Sequence, residues 1–325
     1  MKMAILGAGV IADVMAGTVA KMNGVEIYAI ASRDAAKAKA FAEKFGIQKA
    51  YGSYEEMLAD PEVELVYIAV PHSHHHQWTI AALNAGKHVL CEKAFAVNER
   101  QTREMIELSE KKGLLLAEAI WPRYMPSRKM ITEIIERGDI GRLKTVSVNL
   151  GYKIDMNERM VKPELAGGCL LDLTVYTLNF VSMVWGDDIK NIHASCVMTD
   201  TGVDGQDNVM IEYQDGRMAN IFTTMYTLTD RMGLICGTDG FIQVQNINNP
   251  EQIRVYSPDR NGPELKACYD VPEQITGYEY EVYACMKAIE EGKIECPEMP
   301  HSQTIQIMCQ MDRIRKQFGI VYPNE

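Results

Sequence analysis

Lys93 closes the stretch Gly86-Lys87-His88-Val89-Leu90-Cys91-Glu92-Lys93, an apolar run bounded by a glycine before it and by an acid and a lysine after it. That pattern reads as a short buried strand delivering two charged groups at its carboxyl end. In an open parallel α/β sheet ligands bind beyond the carboxyl ends of the strands, so a lysine there is aimed at whatever binds. Farther along, Asp172 and Tyr176 stand four residues apart among Leu170, Leu171, Leu173, Val175 and Leu178. On a helix this spacing puts an acid and a phenol on one face. Two polar groups on an otherwise apolar helix need a reason, and a substrate pocket is one. A phenol ordinarily ionises near ~10, too high for an efficient base at neutral pH, and a neighbouring ammonium favours its ionised form.

A second constellation concerns an anion. Gly7-Ala8-Gly9-Val10-Ile11-Ala12 follows the strand-like Lys2-Met3-Ala4-Ile5-Leu6 and opens a helical pattern. In that setting Gly7 allows a tight turn, Gly9 lets the backbone approach a pyrophosphate, and Ala12 permits close helix–strand packing. The helix N-terminus itself attracts the anion. A dinucleotide is therefore the expected ligand. At the end of the next strand an acid would bind the ribose 2′-hydroxyl, but the chain offers Ser32-Arg33. An arginine and a hydroxyl there suit a 2′-phosphate, which favours NADP, with NAD possible; Asp34 is explained by helix capping.

The elements that must position these groups come in two rhythms. Up to about residue 120, strand patterns (2–6, 25–31, 64–70, 87–91, 114–118) alternate with helical ones, as in βαβ units. The expectation for 1–120 is a doubly wound parallel sheet. Past Trp121, helices near 127–137 and 168–185 are followed by consecutive strand candidates from 190 to 271, with turns at Asp215-Gly216 and Thr238-Asp239-Gly240. Residues 121–325 are thus expected to form an α/β domain on a large, open, mostly antiparallel sheet. Few helices remain to cover its second face, so a homo-oligomer, a dimer or larger, is expected.

Composition narrows the function classes. The 325 residues are 47% hydrophobic and 24% charged, with a net charge of −11 from 33 basic and 44 acidic residues. That balance speaks against nucleic acid or an anionic membrane as partner. No apolar run approaches the ~20 residues of a membrane span, and the immediate entry into a strand leaves no room for a leader peptide. Eight scattered cysteines, none in Cys-x-x-Cys spacing, suit a reduced cytoplasmic enzyme. His72, His74, His75 and His76 invite a metal, but without carboxylates beside them they read as a loop flanking the cofactor, with no metal site.

Taken together, Gly7–Ala12, Val70-Pro71-His72-Ser73 with His75, and the stretch ending in Lys93 resemble the Gfo/Idh/MocA oxidoreductase family. Glu118-Ala119-Ile120-Trp121-Pro122-Arg123-Tyr124 and Gly167-Gly168-Cys169-Leu170-Leu171-Asp172-Leu173-Thr174-Val175-Tyr176 look most like its dihydrodiol or sugar dehydrogenase branch, which includes glucose–fructose oxidoreductase. The resemblance implies a Rossmann domain, a second domain with an open sheet, and a nicotinamide between them. It implies cofactor contacts from Gly7, Gly9, Val10, Ile11, Ser32, Arg33, Val70, Pro71, His72, His75, Glu92, Lys93, Trp121 and Arg123. Lys93, Tyr176 and Asp172 would be catalytic, acting on a sugar, cyclic polyol or trans-dihydrodiol, with Asp172 orienting substrate hydroxyls or the lysine. For Trp121, packing is the competing role. Three departures stand out. Ala94 replaces the proline that usually follows the lysine, which leaves open a trans bond with Lys93 displaced, since a cis non-proline bond costs ~2.5–4 kcal/mol. Val70-Pro71-His72 stands where Thr-Pro-Asn is commoner, and Thr174 replaces a frequent glycine and is expected to reshape the pocket. A non-catalytic dinucleotide-binding sensor on the same fold is the alternative function.

Overall fold

The computed structural model describes residues 1–323 and 325. They form two compact units: Met1–Trp121 with Gln274–Ile305, and Pro122–Glu273 with Gln306–Glu325. The segment 274–305, read from sequence as part of the second domain, clusters with the first instead. Its contacts explain this. Leu116 donates its N–H to Ile294 O at 3.0 Å, His301 Nε2 lies 2.8 Å from Leu116 O, and the helix Glu279–Glu290 buries Val282, Cys285 and Ala288.

In the first unit the strands are β1 (Lys2–Leu6), β2 (Glu26–Ala31), β3 (Lys49–Tyr51), β4 (Leu65–Ile68), β5 (His88–Glu92) and β6 (Leu116–Ala119). They pair in the order β3-β2-β1-β4-β5-β6, every pair parallel. Helices on both faces bury the strands from either side, which is why β4 and β6 are buried at every residue and read as short apolar runs. The three-residue β3, exposed at Lys49 and Ala50, has no hydrophobic periodicity and escapes sequence reading. The strand order reverses between β1 and β4, the place where a doubly wound sheet opens a crevice for a ligand. There Gly7 has φ +108°, and a Cβ on it would lie 2.5 Å from Ala69 O, so the turn after β1 admits glycine only.

The second unit is built on β7 (Leu143–Gly151), β8 (Ile189–Met198), β9 (Asp204–Tyr213), β10 (Met218–Thr224), β11 (Gly233–Gly237), β12 (Phe241–Val244), β13 (Gln252–Asp259) and β14 (Gly262–Asp270). Their order is β14-β13-β12-β11-β7-β10-β9-β8, antiparallel throughout except for β10 beside β7. One face is core, carrying Val146, Val148, Val209, Ile211, Ala219, Ile221, Ile235 and Ile242. On the other, the register aligns Met210, Asn220, Ser147, Leu234, Gln243 and Arg254 in one row across six strands, none of them buried.

Against the core face runs a five-residue π turn, Leu170–Thr174, continuing as the α-helix Val175–Trp185. Within the 23-residue stretch Pro163–Trp185 an 18-residue window has a mean hydropathy of 1.3, long and apolar enough to pass for a membrane span, contrary to the expectation from sequence. Its hydrophobicity has another cause here: 83% of that window is buried in the fold.

Candidate active site

The anion-binding half lies in the first unit. Gly9 is the N-cap of the helix Val10–Val19 and supplies no side-chain cap, and a Cβ on it would meet nothing within 4 Å. Val10, in the first turn, is 85% exposed, with Ile11 half-buried beside it. An open, uncapped helix start after a glycine turn fits a pyrophosphate, whose oxygens can take the first-turn N–H groups. At the end of β2, Ser32 is buried and Arg33 exposed, while Asp34 caps the next helix by accepting from Ala36 N at 2.9 Å and Lys37 N at 3.2 Å, as the capping argument expects. Arg33 lies beside Tyr54 and His74: its charge opposes the upward push that burial gives the Tyr54 phenol, and adds to burial in pushing the His74 imidazole down. His74, counted on sequence grounds only as one of a run, thus shares the neighbourhood of Arg33.

Two segments meet behind the expected nicotinamide position. Val70 and Pro71 are half-buried, and His72 is buried. His75, grouped with the cofactor contacts on sequence grounds, is completely buried, and its ring nitrogens face two carbonyls: Val70 O and Ala94 O, each at 2.8 Å. It therefore ties the loop after β4 to the turn after β5. In that turn the Lys93–Ala94 bond is cis although no proline follows Lys93, so the trans alternative does not hold. Lys93 is the one residue between 89 and 98 that is not buried.

Glu92 is engaged within the sheet. The Tyr67 hydroxyl donates to its Oε1, and the Lys93 N–H lies 3.2 Å from its Oε2. Burial, then the charge of Glu92, pushes the Tyr67 phenol well above its ordinary range, so it stays a donor. Glu281, which sequence reading missed, is fully buried near Glu92, and burial followed by that charge raises its carboxyl well above the usual range. Trp121 stacks on Tyr278, ring centroids 4.6 Å apart and planes within 16°, against Gly277 at φ +99°. The stack accounts for the burial of Trp121 as packing.

Asp172 and Tyr176 lie in the second unit. Among residues 166–182 Tyr176 alone is not buried. Its helix is anchored by Arg123, 2% exposed, whose Nε donates to Asn179 Oδ1 at 2.9 Å while Asn179 Nδ2 donates to Val175 O. Arg123, expected near the nicotinamide, thus binds the helix that carries the phenol. Asp172 is 5% exposed and pairs with Arg159 Nη1 at 3.0 Å. Arg159 comes from the short helix Glu158–Val161. Thr174 is completely buried, and its hydroxyl donates to Asp207 Oδ2 at 2.7 Å.

Comparison with known proteins agrees with this construction. Residues 1–119 match the family described as "Oxidoreductase family, NAD-binding Rossmann fold", and residues 129–243 match "GFO/IDH/MocA C-terminal domain". The trans-1,2-dihydrobenzene-1,2-diol dehydrogenase of Xenopus laevis is 34% identical over 308 residues, covering 92% of this chain and 91% of that protein. The human protein of that name is 32% identical over 304 residues, with the same coverage. Among solved structures, the 3-ketoreductase KijD10 from Actinomadura kijaniata, in complex with NADP and TDP-benzene, superposes with a TM-score of 0.88 at 22% identity, over 97% of each chain. The aldose-aldose oxidoreductase from Caulobacter crescentus, complexed with glycerol, gives 0.87 at 21% identity over 99% of each. With a dinucleotide crevice in one unit, an open-sheet fold in the other and kinship running nearly end to end, the chain belongs to the Gfo/Idh/MocA family of NAD(P)-binding oxidoreductases.

Proposed function

We propose that this oxidoreductase is an NADP-dependent dehydrogenase acting on a trans-dihydrodiol, cyclic polyol or sugar. The observation that carries the reading is a shared pattern: Lys93 and Tyr176 are each the one side chain left open in a run that is otherwise buried. Bound NADP supplies the hydride acceptor, or in its reduced form the donor. The chain's own residues handle the proton. Tyr176, as tyrosinate, takes the proton from the substrate hydroxyl while the C–H bond of the same carbon gives up its hydride, and reduction reverses both transfers. Lys93 favours the ionised phenol by its charge and donates a hydrogen bond to the substrate oxygen. Asp172, held by Arg159, accepts from a neighbouring hydroxyl, which suits a vicinal diol. Arg33 and Ser32 hold the 2′-phosphate, and Gly9, Val10 and Ile11 the pyrophosphate. Kinship with trans-dihydrodiol dehydrogenases supports the diol, and the solved relatives holding NADP support the cofactor.

The open face of the eight-stranded sheet is proposed to pack on a second copy of the chain. Its row of Met210, Asn220, Ser147, Leu234, Gln243 and Arg254, with the stacked Phe241–Tyr256 pair at 4.7 Å, is unburied and mixes apolar with polar side chains. The function is tested by a panel of trans-dihydrodiols, inososes and sugars assayed with NADP and NAD in both directions, following absorbance of the reduced nicotinamide. Turnover of a vicinal diol or polyol with NADP supports it. Tight NADPH binding with no turnover across the panel would replace it with the sensor reading.

A further inference from the structure

Beneath the π turn lie two acids that this chemistry does not use. Asp204 and Asp207, at the start of β9, are completely buried. Asp204 Oδ2 accepts the backbone N–H of Leu170, the first residue of the turn, and Oδ1 lies where a Cβ on Gly168 would be, so glycine is required there at φ +108°. Asp207 Oδ2 accepts from Thr174 Oγ1 at 2.7 Å, and Thr174, the last residue of the turn, also meets Thr223 Oγ1 at 2.6 Å. One acid therefore holds each end of a five-residue turn whose middle residue is Asp172.

The other oxygen of each acid, Asp204 Oδ1 and Asp207 Oδ1, is buried without a donor, and the two carboxyl groups are within hydrogen-bonding reach of each other. Two charges cannot share that space cheaply, because burial penalises each and their repulsion adds to it. A single proton between the orphaned oxygens satisfies both. The titratable groups facing the pair are Cys169, Cys196, Tyr226 and Tyr322, with Asp172 beyond Cys169. None of these brings a positive charge. The arginines beside them are committed elsewhere, Arg159 to Asp172 and Arg315 to Asp312 and Glu325.

We propose that Asp204 and Asp207 are positioning residues that share one proton and in that form clamp both ends of the π turn, fixing Asp172 and, one turn on, Tyr176. Only the catalytic consequence rests on the reading of Asp172 and Tyr176 given above. Burial raises the Asp204 carboxyl to about 7 against the hydrogen bonds from the Leu170 N–H and from Asp207, which lower it; burial first, then the charge of Asp204, raises Asp207 well above its ordinary value. The folded chain then keeps a proton that the unfolded chain has lost. The pair's contribution to stability is complete below the ordinary carboxylate range and falls as pH rises through about 7, where two protons become one, and falls again where Asp207 loses the last.

The test begins with the unaltered protein at neutral pH, by infrared spectroscopy of the carboxylic-acid carbonyl band in H₂O and D₂O. Asp204→Asn and Asp207→Asn keep the shape and can each donate an amide hydrogen to the remaining carboxylate. Both should lose the same single protonated-acid band. Amide hydrogen exchange of residues 170–174, corrected for its intrinsic pH dependence, should accelerate about tenfold or more in the parent at the alkaline pH where the pair gives up its last proton, one such factor for each ~1.36 kcal/mol of lost clamping. It should stay flat in the two variants, and the parent's alkaline fall in kcat, with KM little changed, should vanish with it. A parent lacking any acid band that responds to these substitutions overturns proton sharing, even if the variants fail to fold. Two separate bands, one lost per variant, overturn it as well. Loss of the band with unaltered exchange at 170–174 overturns the positioning role. None of the spectroscopic or exchange readouts needs a substrate, so a failed substrate assignment is distinguishable from a failed clamp.

Discussion

Arg159 Nη1 sits 3.0 Å from Asp172 Oδ1, so the acid at the centre of the π turn is neutralised from within its own unit, by a residue thirteen positions earlier in the chain. An acid 5% exposed, carried on an apolar helix, is costly to leave charged without such a partner. The pair also restricts what Asp172 can do. Its carboxylate is fixed in direction, which suits an acceptor for a substrate hydroxyl better than a mobile proton carrier.

The first prediction follows. Arg159→Met should reduce kcat/KM by about tenfold or more, since a hydrogen bond to a charged group is worth about 1.5–3 kcal/mol and the half-exposed guanidinium places this one near the lower end. The loss should fall mainly on KM, because hydroxyl orientation is what suffers. Arg159→Lys should recover only part of it, as an ammonium lacks the planar fork. Steady-state kinetics on the best substrate of the panel decide the matter, and an unchanged KM in Arg159→Met would detach Asp172 from substrate binding.

The proposed preference for NADP assigns cofactor choice to Arg33, exposed just past the end of β2. NADPH should bind more tightly than NADH to the unaltered protein, by about tenfold or more for one charge-assisted contact to the 2′-phosphate. Arg33→Asp should erase or reverse the preference by repelling that phosphate and offering a carboxylate to the ribose. Calorimetric titration of both cofactors measures it. Equal affinities in the parent would dismiss the assignment.

Much of this was legible in the chain, and what was not has a common physical cause. Lys93 and Tyr176 announce themselves because reactive side chains in apolar runs stand out locally, and β1, β4 and β5 follow from continuous burial. Arg159, Asp204 and Asp207 do not, since their contacts cross 13, 34 and 33 residues and leave no periodic trace. The π turn is equally silent: Leu170-Leu171-Asp172-Leu173-Thr174 would suit an ordinary helix, and only the clamp at its two ends marks the wider turn. His75, Glu92 and Arg123, associated with the cofactor by motif, also bond within the protein, to Val70 and Ala94, to Tyr67, and to Asn179, contacts that no motif announces.

A third prediction concerns assembly. The unaltered protein should be at least a dimer at micromolar concentration, by light scattering. Leu234→Arg, in the centre of the row that crosses the open sheet face, should shift it toward monomer by replacing an apolar contact with a bulky charge. Its strand keeps the buried Ile235 on the other face, so the fold should survive, and circular dichroism checks this. A monomeric mass for the parent would remove the sheet face as an interface.

The last prediction separates proton transfer from binding. Lys93 stands at the end of β5 in the unit that carries the dinucleotide crevice, and Tyr176 on a helix of the other unit. If both serve the same substrate oxygen, each should matter to turnover far more than to cofactor affinity. Removing a general acid or base costs ~10²–10⁴ in rate. Tyr176→Phe, which deletes one hydroxyl and keeps the ring, should lower kcat on that scale and leave the NADPH dissociation constant nearly unchanged. Lys93→Met should be at least as severe, because it removes a substrate contact and also the charge that favours tyrosinate. The acid limb of the pH profile for oxidation should reflect the same pair: Lys93→Arg, which keeps the charge, should retain a limb that Lys93→Met displaces to higher pH. Full turnover by Tyr176→Phe would transfer the proton step to Lys93, whereas loss of NADPH binding in the same variant would make the phenol a cofactor contact and not an acid–base group.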